Sequence, residues 1–167
     1  MTWRISFSKS EVELAELMPP VAKMCFMAIK AIRKDKFAKF PQKISSYCLK
    51  SILLCTLEKS DPNLWLSQTE DNISRCFHFL LDEVIQAFEE QLCPHFWIPG
   101  IDLFKDYSDE TLQKATNVLK KVQRRPNFYI EPFPKAYLER FPKVIQKYYD
   151  SSLHRNYKVD QELVHLI

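Results

Sequence analysis

The sequence predicts an all-α fold, a compact bundle of helices. Gly100 is the only glycine in 167 residues, and leucine, lysine and glutamate are frequent; this balance favours helices over sheet. Apolar residues recur every three or four positions in long segments, which is the spacing of one helix face. Hydrophobic residues make up 46% of the chain and charged residues 27%, so the chain can bury a substantial core.

Five main helices follow one another along the chain. The pattern S-x-x-E, a capping box, starts the first helix at Ser8 and the fourth at Ser67, and Ser108 caps the fifth. The first helix is interrupted by the Pro19-Pro20 pair. The others are expected at about 20–34, 45–58, 67–92 and 109–124, with a further stretch at 136–149 that Pro142 interrupts.

Four of these helices carry an apolar stripe that is expected to face the core. In chain order the stripes are Met24, Met27, Ala28 and Ala31; Ile44, Tyr47, Cys48, Ile52 and Cys55; Ile73, Phe77, Leu80, Leu81, Val84, Phe88 and Leu92; and Leu112, Ala115, Leu119 and Val122.

The remaining segments are expected to be irregular or extended. Loops are predicted at 33–43 and 126–135, a turn at 61–63 and a weakly patterned tail at 150–167. The opening W-R-I-S-F-S alternates apolar and polar residues like a short strand. A lone strand needs a partner, so we expect the chain to begin inside a larger fold.

Composition excludes several classes of protein. A phosphate-binding loop that needs two or three glycines cannot be built from one. No apolar run reaches 18 residues, and the N-terminus lacks an apolar signal core, so neither a membrane span nor secretion is expected. Four of the five cysteines lie in apolar, helix-like sequence, which indicates reduced thiols and a cytoplasmic or nuclear location. The net charge of +3 is too small to indicate nucleic acid binding by itself.

Three segments resemble a known family when taken in order: W-R-I-S-F-S at 3–8, S-S-Y-C-L-K at 45–50 and F-W-I-P-G-I-D-L-F at 96–104. Together they are similar to the C-terminal region of the Mab-21 family, which includes cyclic GMP-AMP synthase. The resemblance covers about residues 2–133. It implies a Mab-21-like helical domain at 1–133, with an HhH/H2TH-like fold, and a C-terminal extension at 134–167.

The resemblance also implies a two-lobed parent protein of the nucleotidyltransferase fold, of which this chain is the C-terminal lobe. The upstream lobe would carry a Gly-Ser motif and the clustered carboxylates that hold two Mg²⁺ ions for ATP or GTP chemistry. This chain contains neither, so it is not expected to catalyse by itself or to hold a cofactor. The upstream lobe is its first expected partner.

Five residues match family positions that line the nucleotide pocket. Arg4, Ser6 and Ser8 resemble residues on the acceptor side, where a guanidinium and hydroxyls can bond a base edge or phosphate oxygens. Ser46 and Tyr47 resemble a phosphate-contacting serine and a base-stacking tyrosine.

Each of these residues also has a purely structural interpretation. Ser8 could serve only as a helix cap, and Arg4 could be an ordinary surface cation. Ser45 or Ser46 could be a helix cap with no other role. Tyr47 could be a core residue with no other role, because it lies on an apolar stripe.

The chain departs from the family pattern at several positions. Phe26 stands where cyclic GMP-AMP synthase has a phosphate-contacting lysine, and Cys48 follows Tyr47 where the family often has histidine. The His/Cys zinc thumb is also missing, because residues 9–24 contain neither residue type. Two C-x-H pairs occur, at 76–78 and 93–95, but residues two apart on a helix point apart. No metal site is expected.

Two basic clusters are candidates for contact with double-stranded nucleic acid, since phosphate binding needs little more than positive charge. The first comprises Arg33, Lys34, Lys36, Lys39 and Lys43, and the second comprises Lys120, Lys121, Arg124 and Arg125. The competing interpretation is a solvated loop and a helix end favoured by its dipole.

Two functions remain open at this stage. The first is the C-terminal lobe of a cyclic GMP-AMP synthase-like enzyme of innate immune sensing, which contributes base stacking and part of a nucleic acid surface. The second is a Mab-21-like module without enzymatic activity that binds protein or nucleic acid. A stand-alone helical nucleic acid binder is a weaker third interpretation.

Overall fold

The computed structural model describes residues 8–124. In this range the chain forms five α-helices and one short 3₁₀ helix, and its only β-type pairing is an isolated bridge between Pro94 and Asp102. The helices are α1 (Ser8–Leu17), α2 (Pro20–Lys36), α3 (Ser46–Lys59), α4 (Glu70–Glu89) and α5 (Asp109–Arg124), with the 3₁₀ helix at Pro62–Trp65. The all-α prediction is confirmed. The predicted opening strand, the segments 126–135 and 136–149 and the tail lie outside the described residues.

Helix α4 is the centre of the bundle and packs against α2, α3 and α5. Its predicted apolar stripe is buried from Ile73 to Phe88, and all four predicted positions of α5 are buried as well. Both helices show a 3–4 spacing of apolar residues on one face and charged residues on the other, so only one orientation removes the apolar face from water.

The start of α4 differs from the prediction. The helix begins at Glu70 with Thr69 as its N-cap, and the Thr69 hydroxyl accepts a hydrogen bond from the Asn72 amide. The predicted cap, Ser67, lies before the helix. Its carbonyl accepts a bond of 2.8 Å from the buried Asn72 side chain, which also donates to the Leu64 carbonyl at 2.8 Å. These bonds to the segment just before the helix hold residue 67 outside it.

The end of α4 also differs from the prediction, which extended it to residue 92. Gln91 adopts a left-handed conformation with φ of 53°, and its amide bonds the Phe88 carbonyl while the Leu92 amide bonds the Ala87 carbonyl. These two bonds form a Schellman motif, which ends a helix. Leu92 is 48% exposed, so its assignment to the core was wrong.

Helix α2 buries a different face from the predicted one. The residues Met24, Met27, Ala28 and Ala31 are only half-buried, whereas Val21, Cys25, Ile29 and Ile32 are buried. Both sets have helical spacing, and neighbouring helices select the second. The helix also continues to Lys36, so the loop predicted at 33–43 starts too early. No helix breaker occurs before Pro41, and basic residues suit a C-terminal turn.

Helix α3 follows its predicted stripe at Ile44, Cys48 and Ile52, which are buried, while Tyr47 and Cys55 are half-buried. The turn predicted at 61–63 becomes the 3₁₀ helix, which Asp61 caps by accepting a bond from the Asn63 amide. Buried Trp65 ends this short helix and lies under α4.

Candidate functional site

Two of the predicted nucleotide residues, Ser46 and Tyr47, lie at the N-terminus of α3, which hydrogen bonds from other segments anchor. Ser45 is the N-cap, and its hydroxyl accepts from the Tyr47 amide at 3.1 Å. The Tyr107 hydroxyl accepts from the Ser45 amide at 3.0 Å and donates to the Lys43 carbonyl at 3.3 Å. The capping interpretation therefore holds for Ser45, and Ser46, which is half-buried, is left as the first residue of the helix.

Side chains from two other segments hold the connector before α3. The Arg33 guanidinium, at the end of α2, donates to the Ile44 carbonyl at 2.7 Å. The side-chain oxygen of Gln42 accepts from the backbone N–H of Ser108 at 2.8 Å and from the Thr111 hydroxyl at 3.1 Å. These bonds tie α2, the connector and the start of α5 together, so the start of α3 is fixed before any ligand arrives.

Tyr47 lies half-buried at this helix start. Its hydroxyl is 3.2 Å from Nε2 of His95, and the two rings lie 5.3 Å apart at 56°. Burial and, to a lesser extent, the nearby Glu11 carboxylate raise the pKa of Tyr47 above its ordinary value of 10.0. Glu11 is itself paired with Lys50 at 2.6 Å. The phenol is therefore neutral at physiological pH and can serve both as a stacking face and as a hydrogen-bonding group.

His95 is part of a tight bend that follows α4. Ser51, buried on α3, donates to the Pro94 carbonyl at 2.7 Å and accepts from the Phe96 amide at 2.8 Å, so it holds the chain on both sides of His95. The Asp102 carboxylate accepts from the backbone N–H groups of Cys93, before the bend, and Phe104, after it, each at 2.9 Å.

The bend also needs its glycine. Gly100 adopts a φ of +80°, and an added Cβ would meet nothing within 4 Å. The backbone conformation, and not a lack of space, therefore calls for glycine at this position.

Cys48 and Cys93 are both buried, and their thiols are in contact. The Cys93 thiol donates to the Cys48 carbonyl at 3.6 Å, and its bond to the Cys48 sulfur together with burial raises its pKa. Cys48 is buried in the core.

The other nucleotide candidates have different positions. Arg4 and Ser6 lie outside the described residues, and Ser8 is where the backbone of α1 begins. Phe26 is half-buried and packs against the core. The structure therefore brings Tyr47 and Ser46 to one helix start. His95, the direct partner of Tyr47, was missed because it lies 48 residues away and was weighed only as a metal ligand.

The first basic cluster is divided between structural and exposed roles. Arg33 is half-buried and donates to Ile44, and Lys36 pairs with Asp35 at 2.6 Å. Lys34, Lys39 and Lys43 are exposed. In the second cluster Lys120 pairs with Glu89, and Lys121 and Arg124 are exposed. Its last member, Arg125, is not among the described residues.

Two further properties bear on possible ligands. Between residues 8 and 124 there is no group of three or more His, Cys, Asp or Glu side chains placed to hold a metal ion. None of the helices in the same range is both long and apolar enough to cross a membrane.

Comparison with known proteins identifies several similar sequences. The chain is 28% identical over 124 residues to proteins named mab-21-like from Drosophila pseudoobscura pseudoobscura and Drosophila melanogaster, which covers 73% of this chain and 32% of each relative. It is 25% identical over 129 residues to cyclic GMP-AMP synthase-like receptor 3 from Stylophora pistillata, which covers 73% of this chain and 36% of that protein. The chain thus spans about a third of the length of the curated relatives it matches.

A family description agrees with these similarities. The Mab-21 protein HhH/H2TH-like domain matches residues 21–121, which include α2 to the last turns of α5 and every anchoring bond at the start of α3. The match extends over more than half of the 167 residues, and the chain therefore belongs to the Mab-21 family.

Proposed function

We propose that this chain is the helical lobe of a cyclic GMP-AMP synthase-like nucleotidyltransferase. In this proposal Tyr47 stacks on a nucleotide base and Ser46 contacts a phosphate. The chain does not catalyse alone. An upstream lobe of the same protein is its partner and supplies the carboxylates for Mg²⁺ and the reacting ATP or GTP.

The observation that carries the proposal is the anchored start of α3. Tyr47 and Ser46 follow a cap whose neighbouring backbone groups are bonded by Arg33 and Tyr107, while Gln42 ties the same connector to α5. A stacking ring on a fixed helix start loses little freedom when a ligand binds, so more of the contact energy becomes affinity. Similarity to a protein named a cyclic GMP-AMP synthase-like receptor supports the same assignment.

The alternative is a Mab-21-like interaction module without enzymatic activity. Phe26 favours it, because a side chain that packs against the core cannot replace a phosphate-binding lysine. The two relatives named mab-21-like are the more similar ones, and their name states no activity.

Sequencing the transcript upstream of the Met1 codon tests the enzyme proposal first. A Gly-Ser motif followed by an acidic-x-acidic pair on predicted strands supports it. A stop codon without such a lobe removes nucleotidyl transfer as an explanation, and the basic residues at 33–43 then become the better lead.

Titration of ATP and GTP into the whole gene product tests the stacking role. Tyr47→Ala is expected to weaken binding roughly 10- to 100-fold, the size of one lost base-aromatic stack. Tyr47→Phe keeps the ring and is expected to lose less, about fivefold, because only one neutral hydrogen bond is removed. Equal affinities of wild type and Tyr47→Ala would contradict the stacking role.

Nucleic acid sensing through the first basic cluster is a separate part of the proposal. Lys34, Lys39 and Lys43 are its exposed members, and the last two lie in the connector after α2. Lys39→Glu with Lys43→Glu should weaken binding to a double-stranded oligonucleotide and make it less dependent on salt. Lys59→Glu, exposed at the other end of α3, is the control. An unchanged affinity would exclude this surface.

A further inference from the structure

We infer that His95 is a positioning residue that fixes the ring of Tyr47 and determines which way the Tyr47 hydroxyl donates. The role in ligand binding rests on the proposed function. The role in the unliganded protein does not, because it follows from the hydrogen bonds of His95 alone.

The first step is the tautomer of His95. Its Nδ1 atom accepts hydrogen bonds from two backbone amides, those of Trp97 and Ile98, each at 3.1 Å. A hydrogen on Nδ1 would oppose both N–H groups, so Nδ1 carries a lone pair. In a neutral imidazole the hydrogen is then on Nε2.

The second step is the direction of the bond to Tyr47. Since Nε2 carries the hydrogen, it donates across the 3.2 Å to the Tyr47 oxygen. The Tyr47 oxygen is thereby an acceptor towards His95, and its own hydrogen must point elsewhere. A neutral phenol with this arrangement offers a donor to a ligand, which suits an acceptor oxygen or ring nitrogen of a nucleotide.

The third step is the rigidity of the donor. Ser51 bonds the backbone on both sides of His95, and the two amide bonds to Nδ1 fix the imidazole from within the bend. The His95 ring, which bonds Tyr47, is therefore itself fixed by Ser51 of α3 and by the backbone of its own turn. A functional group supported in this way is placed more accurately than one on a free rotamer.

Two substitutions separate the functions of the two ring nitrogens. His95→Asn places an acceptor oxygen near the position of Nδ1, so it keeps the turn and loses the donor to Tyr47. His95→Gln places its amide near Nε2, so it keeps the donor and loses the turn. If the inference is right, His95→Asn frees the Tyr47 ring without unfolding the bend, and His95→Gln disturbs the bend first.

NMR of the full 167-residue chain without ligand is the first test: the imidazole nitrogen signals report the tautomer of His95, and the aromatic C–H signals report ring flipping of Tyr47. We expect the Nε2–H tautomer of His95 and faster ring flipping of Tyr47 in His95→Asn than in wild type. The Nδ1–H tautomer, or a Tyr47 ring that moves equally in both proteins, overturns the inference whether or not the chain binds nucleotide.

Titration with ATP and GTP is the second test, on the whole gene product. His95→Asn and Tyr47→Phe should each weaken binding about fivefold, the loss expected for one neutral hydrogen bond. The double variant should lose no more than either single one. Losses that multiply in the double variant overturn the coupling. Absence of wild-type binding refutes the proposed function and leaves the NMR result to decide the role of His95.

Discussion

Removal of the Ser51 hydroxyl is the most informative single change, because one buried atom joins α3 to both sides of His95. The Ser51 side chain is 2% exposed and makes bonds of 2.7 and 2.8 Å to Pro94 and Phe96. Ser51→Ala leaves both backbone groups without this partner. Two bonds at about 1 kcal/mol each, plus desolvation of any group that water cannot reach, amount to about 2–4 kcal/mol. The better helix propensity of alanine offsets about 0.5 kcal/mol.

The expected net loss is therefore about 1.5–3.5 kcal/mol of unfolding free energy. Urea denaturation should show a lower midpoint with an unchanged slope, since the exposed area on unfolding barely changes. Amide exchange at Phe96 should accelerate more than exchange in the centre of α4.

Thr56→Val is the matched control on the same helix. The buried Thr56 hydroxyl donates only to the Ile52 carbonyl, one turn back in α3, so its loss should cost less than about 1 kcal/mol. If Ser51→Ala lowers the free energy of unfolding no more than Thr56→Val does, the two bonds of the Ser51 hydroxyl add nothing and the prediction is refuted.

Three further predictions concern other parts of the bundle. Gln91→Gly should stabilise the chain by about 0.5–1 kcal/mol in the same denaturation assay, because glycine adopts the left-handed conformation without steric cost; a loss of stability would contradict the assigned Schellman motif. Leu119→Ala, at a fully buried position of α5, should cost about 2–5 kcal/mol, whereas exposed Gln113→Ala on the same helix should cost less than about 0.5 kcal/mol. Burial and the neighbouring Cys76 raise the pKa of Cys25 above its ordinary 9.0, so the folded chain favours the thiol form. The contribution of this group to the free energy of unfolding is therefore intact below about pH 9 and is lost as the pH rises further. Melting curves from about pH 8 to about pH 10.5 should therefore fall less steeply for Cys25→Ala than for wild type, and parallel curves would exclude this thiol as a source of the loss.

The sequence was sufficient for the helices whose two faces differ strongly. In α5, apolar and charged residues separate cleanly, so the buried apolar positions follow from periodicity alone, whereas the buried Thr111 and Thr116 do not. In α2, two adjacent stripes are both apolar, and periodicity cannot distinguish them. The choice is made by contact with α3 and α4, which a local pattern does not contain.

Hydrogen bonds from outside each helix account for what its local sequence pattern did not reveal. The start of α4 depends on carbonyls that reach Asn72 from the preceding turn. The partner of Tyr47 lies in a bend far along the chain, where a histidine beside a proline gives no local signal. Tyr107 is a similar case, because nothing near residue 107 indicates that its hydroxyl bonds the backbone before α3.

In the connector before α3, backbone atoms determine the conformation, and an exposed side chain determines the surface charge. Arg33 and Tyr107 hold it through the backbone atoms of residues 43, 44 and 45, and the Lys43 side chain points into solvent. Such a segment can exchange its exposed side chain without moving the helix start it supports. Related proteins could therefore carry acidic, neutral or basic residues at this position and present different electrostatic surfaces on the same scaffold, so partner choice could diverge while the start of α3 stays in place.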